Sequence, residues 1–472
     1  MAQASRTSTR RPDSLWEASL TSDTRCESEP WEHGLEADIT IIGAGLTGLW
    51  TAYYLSGALP DAKIIVLDLA GVGFGASGRN GGWASALLPM GLNRLEREYG
   101  REFAVATQHA MHSTLDEIIR VTEAEQIDAG VTKGGTITAA RSRPQLDRVR
   151  HEVETYARFG FEDDYHLLNA EEAAAICNMT GIQGALHTPH CCAVNPAQLT
   201  HGIGRAVRRR GVRIIAPACA TSIRRGVVTT THGDVRTRYV VRATEGYTSM
   251  LPGQRRASIP LYSMMVATEP LSDDVWQTIG LHDRPTFDDT RHLIIYGQRT
   301  ADGRFAFGGR GAPYHFGSRI DDSFDSNEQV RLRIISTLRD LFPALHDAQF
   351  THHWGGPLAV PRDWACGIDT DWKNGIITAG GYVGDGVSTT NLFGRIVTDL
   401  IADRELPDYE PKVQQDHLPF INRKTRRWEP EPLRWAGING GRLAAGLADR
   451  LETRTQRPSR FFGGVIDGLL RR

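Results

Sequence analysis

Near the start of the chain, short β-branched runs alternate with longer stretches of apolar residues at helical spacing. Asp38-Ile39-Thr40-Ile41-Ile42 reads as a strand, residues 46–55 as a helix, and Lys63-Ile64-Ile65-Val66-Leu67-Asp68 as a second strand. These elements form a βαβ unit of the kind that begins a doubly wound α/β domain. From about residue 94 to 174 the pattern becomes charged, amphipathic and helical, interrupted at Gly134-Gly135, and predicts an insertion. Residues 197–209 read as helix, 212–215 as extended chain and 239–244 as another buried strand. Residues 257–351 mix extended segments with a helix over 327–342 and a turn at Asp302-Gly303, consistent with an antiparallel substrate-binding sheet. A last strand over 375–379 runs into a Gly-rich turn and a helix over 388–403. The basic, Pro-containing tail beyond Pro407 yields no element.

A length of 472 residues exceeds one small core and predicts two interleaved domains, or one domain with large insertions. Lys and Arg number 54 against 56 Asp and Glu, so no sustained basic face points to nucleic acid or an acidic membrane. The local run Arg208-Arg209-Arg210 reads as a solvated helix end. Six cysteines without a C-x-x-C spacing make no disulfide framework and fit a reducing, cytoplasmic setting. His190-Cys191-Cys192 lacks a four-ligand zinc pattern, and neighbours in extended chain point to opposite faces, so no metal is expected. The first residues, with Arg10-Arg11 and no apolar h-region, read as a flexible leader rather than an export signal. The apolar stretch 39–55 is broken by Gly43, Gly45 and Gly48, and no transmembrane span is expected.

The 49 glycines fall in clusters, and the clusters carry the chemistry. Gly43-x-Gly45-Leu46-Thr47-Gly48 follows a strand and opens a helix, and Asp68 closes the next strand about 20 residues on, as a dinucleotide fingerprint requires. The first glycine permits the turn, the second lets backbone approach a pyrophosphate, and the third lets helix and strand pack. The helix N-terminus adds N–H groups and a positive dipole end. Asp68 would accept from the ribose hydroxyls and repel a 2′-phosphate, which disfavours NADP. A second loop, Gly75-Ala76-Ser77-Gly78-Arg79-Asn80-Gly81-Gly82, separates FAD from NAD. A flavin ring lying along backbone needs small residues, and Ser77, Arg79 and Asn80 offer hydrogen bonds and charge. The third cluster, Gly380-Gly381-Tyr382-Val383-Gly384-Asp385-Gly386-Val387-Ser388-Thr389-Thr390, lies between a strand and a helix whose N-terminus would stabilise charge on a reduced ring. An ordinary helix capped by Ser388 and Thr389 is the alternative.

With these features the sequence resembles the amino-acid oxidase-like flavoprotein superfamily of D-amino-acid, glycine and sarcosine oxidases, nearest the branch resembling gamma-glutamylputrescine oxidase. Ser14-Leu15-Trp16, Ala267-Thr268-Glu269-Pro270, Phe307-Gly308-Gly309-Arg310 and Trp354-Gly355-Gly356 carry the resemblance beside the three Gly clusters. It implies an α/β fold in which a doubly wound, Rossmann-like FAD-binding domain is interleaved with a mixed-sheet α+β substrate domain. The division expected is a leader (1–35), FAD-binding segments (36–95, 186–255, 356–405), substrate-domain segments (96–185, 256–355) and a tail (406–472). It also implies that backbone near Ala220 meets the adenine. FAD is expected to be non-covalent, with Cys366 the nearest, and rejected, point of attachment. No lysine falls where sarcosine oxidase-like enzymes activate oxygen, which leaves Arg79, or no residue, for that role.

The implied reaction moves a hydride from a carbon bearing a neutral amine to flavin N5; the imine hydrolyses, and oxygen reoxidises the flavin to give hydrogen peroxide. Motif position nominates Tyr262, Tyr296, Arg310 and Trp354 to meet the substrate. Tyr262 and Trp354 have a plain alternative as core residues, and Arg310 as partner of a structural carboxylate. A pocket Arg would favour a carboxylate-bearing amine, aromatic walls a cationic polyamine. The rival readings are a flavin dehydrogenase serving a quinone or carrier protein, a non-catalytic subunit, and an NAD-dependent dehydrogenase, which leaves the second and third Gly clusters unexplained.

Overall fold

The strand Glu36–Ile42 stands at the centre of an open sheet, flanked by Ile64–Leu67 and then Arg213–Ile215 on one side and by Asp234–Arg242 and Ile376–Gly380 on the other. These five strands are parallel, and Gly367–Asp371 closes one edge antiparallel. The structure is a computed structural model that describes residues 13–414, 417–459 and 462–464, with the side chain of Arg310 outside that description. Every residue of Ile64–Leu67 is buried, which is why it reads as a continuous β-branched run rather than an alternating one. Strand order reverses beside Glu36–Ile42, the place where doubly wound sheets open a crevice beyond their C-terminal strand ends. A hairpin, Ala220–Arg224 and Val227–Thr230, extends the sheet from Asp234–Arg242. The helix Leu46–Ala58 is apolar all round and accordingly buried. It packs against Gly386–Glu405, where a Cβ on Gly394 would lie 2.8 Å from Trp50 Cβ.

The second sheet runs in the order Phe350–Pro361, Ser258–Thr268, Phe305–Arg310, Ile295–Arg299, Thr286–Asp289, Thr136–Ala140, Gly184–Thr188, His166–Asn169. Only Thr286–Asp289 and Thr136–Ala140 pair in parallel, so the sheet is mixed rather than antiparallel throughout. Its core is aromatic, with Trp276, Phe287, Phe305, Phe307 and Phe342 all buried. A small strand pair, Trp83–Ser85 with Cys191–Ala193, leads out of the second Gly-rich loop.

Three expectations are corrected. The charged insertion contains the strand Thr136–Ala140, whose five small or β-branched residues are masked by the long helices Arg101–Ala124 and Arg143–Phe159 on either side. The end of the leader is ordered: Ser14, Leu15 and Trp16 are buried, and the helix Leu15–Ala18 is closed by a capping box between Ser14 and Glu17. The tail forms a helix, Leu433–Thr455, whose buried face is built from alanines such as Ala444, Ala445 and Ala448 and so carries little apolar signal. All six cysteines are free thiols. Among the described residues no helix is long and apolar enough to cross a membrane.

Candidate functional site

The central strand ends at Ile42, and the chain turns at Gly43 with φ +115°, where a Cβ would collide with the carbonyl oxygen of Ala243 on the neighbouring strand. Gly45 caps the helix Leu46–Ala58 without a side-chain hydrogen bond, leaving N–H groups of the first turn directed outward. A Cβ there would lie 2.8 Å from Ser77 Oγ, and one on Gly48 would collide with the Gly43 carbonyl. The three glycines thus serve the turn, the close approach and the helix packing. The nearest atom at Gly45 belongs to the second Gly-rich loop, whose Ser77 hydroxyl accepts the Leu46 N–H at 2.8 Å.

Inside that second loop the residues divide by role. Gly75, Ala76, Ser77 and Asn80 face a cleft at the crevice. Gly78 fits against the Gly73 carbonyl, 2.5 Å from a would-be Cβ, and Gly81 against the Tyr296 ring at 2.9 Å. Gly82, at φ +71°, leaves room for Gln298, whose Nε2 donates to the carbonyls of Gly81 and Gly82 at 2.8 Å. The Asn80 amide is spent within the loop, donating to the Ala76 and Ser77 carbonyls and accepting from the Gly82 N–H. Arg79 does not line this cleft. Its side chain is 1% exposed, pairs with Glu17 at 2.6 Å and Asp325 at 3.6 Å, and donates from Nε to the Gly355 carbonyl. A guanidinium so neutralised and turned from the cleft offers no charge to a ring there.

In the third cluster Gly381 and Gly384 take positive φ, +79° and +122°, and the helix Gly386–Glu405 starts with no side-chain cap. Ser388 and Thr389 do not cap it, because their hydroxyls donate to the carbonyls of Ser85 and Asp385. Tyr382 OH lies 3.0 Å from Thr47 Oγ1, tying this turn to the first one. Two helix N-termini whose own N-cap residues make no side-chain bond therefore border the same cleft.

The cleft draws its walls from segments distant in sequence. Gly43, Gly45, Leu46, Thr47, Asp68, Ser77, Asn80, Ala220, Tyr382, Gly384, Gly386 and Val387 line it, as do Phe74, Ala243 to Tyr247, Leu358 and Thr390. Of the nominated cofactor residues, Gly48, Gly78, Arg79, Gly81, Gly82, Gly381 and Thr389 do not. Asp68 stands at its strand end with Oδ2 accepting from Ala44 N–H at 2.8 Å and Oδ1 from Ala70 and Gly71 at 2.9 Å. Burial raises its pKa, and these three N–H groups pull the other way. Glu245 went unnoticed in the sequence. Its carboxyl accepts from Gly381 N–H at 2.9 Å and Ala359 N–H at 3.3 Å, and burial pushes it up to about 7. The rule that loops at the C-terminal ends of parallel strands line the crevice would have found residues 243–247.

Of the nominated substrate residues, Tyr262, Tyr296 and Trp354 do not line the cleft. Trp354 is fully buried, donates to the Arg79 carbonyl at 2.9 Å and meets Trp16 edge to face. Tyr262 is buried between His315 and Phe324, and burial raises its pKa. Tyr296 fills the space left by Gly81 and Gly308, its hydroxyl 2.7 Å from that of Ser263. The side chain of Arg310 falls outside the described residues. Cys366 is buried with its thiol pushed up to about 12, and it does not line the cleft.

A long cleft at the strand-order reversal, with two helix N-termini and an acidic residue at its edge, suits a dinucleotide with an anionic centre. Residues 38–400 match the DAO family, described as FAD dependent oxidoreductase. The chain belongs to this family. As a DAO-family member it is an FAD-dependent oxidoreductase, which removes the NAD reading. It is 28% identical over 401 residues to gamma-glutamylputrescine oxidoreductase of Escherichia coli (strain K12), covering 83% of this chain and 90% of that one. Its fold is shared with glycine oxidase from Geobacillus kaustophilus, at TM-score 0.67 and 18% identity over 83% of this chain and 99% of that one. L-proline dehydrogenase from P. horikoshii superposes at TM-score 0.65 and 18% identity, covering 82% and 97%. FAD fits the site on its own geometry: glycine at 43 and 45 lets the backbone turn and come close to a diphosphate, and the N-terminus of Leu46–Ala58 meets it with its positive dipole end.

Proposed function

We propose that this enzyme oxidises the C–N bond of a small amine or amino acid, with oxygen as electron acceptor and hydrogen peroxide as by-product. The observation that carries the reading is the meeting of all three Gly clusters on one cleft in a chain that matches an amine oxidoreductase over 90% of that relative's length. FAD, when bound, takes up the two electrons and the hydrogen of the substrate carbon, and the released imine hydrolyses to a carbonyl compound. The chain's own residues would hold the cofactor: the first turn of Leu46–Ala58 its diphosphate, Asp68 its ribose, and the N-terminus of Gly386–Glu405 the charge that develops on its ring. Ala220 would meet the adenine, and Tyr382, Gly384 and Val387, which also line the cleft, would support the flavin end.

The second reading, a dehydrogenase that hands electrons to a quinone or carrier protein, is favoured by one feature. Among the described residues that line the cleft there is no Lys, Arg or His, and Arg79 is committed to Glu17 and Asp325. The test is the visible flavin spectrum, followed without oxygen during addition of primary and secondary amines and amino acids, then after admitting air. Bleaching followed by rapid recovery and peroxide supports the oxidase. Bleaching that persists in air but recovers with a soluble quinone supports the dehydrogenase, and no bleaching by any amine overturns both.

A further inference from the structure

Away from the cleft, three side chains from separate segments converge. His112 lies on the helix Arg101–Ala124, Asp164 in the turn after the helix Arg143–Phe159, and His190 between the strands Gly184–Thr188 and Cys191–Ala193. One ligand-capable atom of each lies within 4.8 Å of both others. His190 Nε2 is 2.7 Å from Asp164 Oδ1, and the two imidazoles stack with centroids 3.6 Å apart. His190 Nδ1 is buried with no hydrogen-bond partner, an exception to the rule that buried ring nitrogens are satisfied. His112 Nε2 lies 3.0 Å from the Tyr165 hydroxyl, which Gln108 also reaches.

We propose that His112, Asp164 and His190 bind a divalent first-row transition cation such as zinc. Two imidazoles and one carboxylate form an N2O set suited to zinc, nickel or copper, and unlike the all-oxygen shells of calcium and magnesium. Bonds of about 2.0–2.2 Å place tetrahedral donors roughly 3.4 Å apart, within the spacing the three atoms already span. Binding separates the His190–Asp164 pair slightly and tilts one imidazole out of the stack so that both lone pairs meet on the ion. The Tyr165 hydroxyl or a water completes the shell. Lys133, the nearby cation, is paired with Asp116 at 2.5 Å.

The sequence reading rejected a metal because it weighed His190 only with its chain neighbours. Cys191 and Cys192 are indeed buried away as thiols, and the partners come from other segments. The site is also wired to the flavin loop: the His190 carbonyl accepts from Ala86 N–H at 3.1 Å, and Gln108 donates to the Ala86 carbonyl at 3.2 Å. An ion here would pin the long helix to the strand pair that emerges from Gly81-Gly82. It serves architecture, and the proposal does not depend on the substrate.

The test uses the purified holoenzyme, treated with chelator and dialysed. Calorimetric titration with Zn²⁺ should show one saturable equivalent, and Cu²⁺ should give an electron paramagnetic resonance signal split by imidazole nitrogen. His190→Gln and Asp164→Asn should each weaken Zn²⁺ binding at least about tenfold, with flavin content unchanged. No saturable Zn²⁺ binding, a Cu²⁺ signal without nitrogen coupling, or a His112→Gln/His190→Gln double variant that binds as the parent does would each overturn the site. The Cu²⁺ spectrum needs no variant, so misfolding of a substituted chain leaves the proposal open to refutation.

Discussion

At Glu245 backbone and side chain are both constrained, with φ at +36° and a carboxyl at about 7 wedged between the N–H groups of Gly381 and Ala359. A carboxyl raised above its ordinary value favours folding only while protonated. Its contribution is complete below about 4.5 and is lost as pH rises through about 7. The parent should therefore lose on the order of 3 kcal/mol at most between pH 4 and pH 8, while Glu245→Gln, whose one amide oxygen serves only one of the two N–H groups, should show no such slope. Urea unfolding at a series of pH values checks this, and parallel curves for the two proteins would show that the charge is not responsible. Gly43→Ala forces a side chain into φ +115° against the Ala243 carbonyl and should weaken FAD binding at least about tenfold. Gly91→Ala, with open space around it, should leave the flavin-to-protein absorbance ratio unchanged. Gly43, Gly45, Gly48 and Asp68 were legible in the sequence because a local turn dictates them. Glu245 and Arg79 were not, because burial and partners from far along the chain define what they do.

The short helix Leu15–Ala18 matters out of proportion to its length. Ser14 Oγ donates to the Gly78 carbonyl at 3.2 Å, Trp16 Nε1 to the Asn80 carbonyl at 2.8 Å, and Glu17 closes on Arg79. The leader thus clamps the outer side of the loop whose inner side lines the cleft. Trp16→Ala should cost about 3–5 kcal/mol of stability, and the protein should purify with less than its parent's flavin content. Full flavin occupancy in a destabilised Trp16→Ala protein would separate the clamp from the cleft. Arg79→Met, which removes a buried guanidinium from its contacts with Glu17, Asp325 and the Gly355 carbonyl, should cost about 3–5 kcal/mol in denaturant unfolding, more than Glu17→Gln at the partly exposed end of the pair. Elements were readable where apolar pattern and length agree, as in Glu36–Ile42 or Pro196–Arg209. Leu15–Ala18 is too short for a periodicity, and Leu433–Thr455 buries alanines and polar residues such as Arg434, Asn439 and Glu452 rather than leucines, so neither stood out.

At the scale of the molecule, the cleft exists only when separate stretches of chain have met. Residues within the stretches 42–47, 67–80, 218–220, 243–251 and 382–390 contribute, and these stretches hang on strands that touch only in the folded sheet. That arrangement was foreseeable in outline, since a βαβ start and later buried strands imply a doubly wound sheet with a crevice at its reversal. The order of the second sheet was not foreseeable, because Thr136–Ala140 pairs with Thr286–Asp289 across a long span of chain. A ligand that binds only the assembled cleft must stabilise the whole fold by linkage, by about 2.7 kcal/mol when free FAD is a hundredfold above its Kd. For a chain of this size that is a rise in midpoint of about 3 °C. Apoprotein prepared by mild release of flavin should show this shift on adding FAD and a much smaller one on adding riboflavin, which lacks the diphosphate that the N-terminus of Leu46–Ala58 would hold. Hydrogen exchange should slow at residues 43–48 and 382–390 and stay unchanged around His112 and His190. A riboflavin response equal to that of FAD would mean that the N-terminus of Leu46–Ala58 does not grip a diphosphate, and the cleft would have to be read again from its apolar walls.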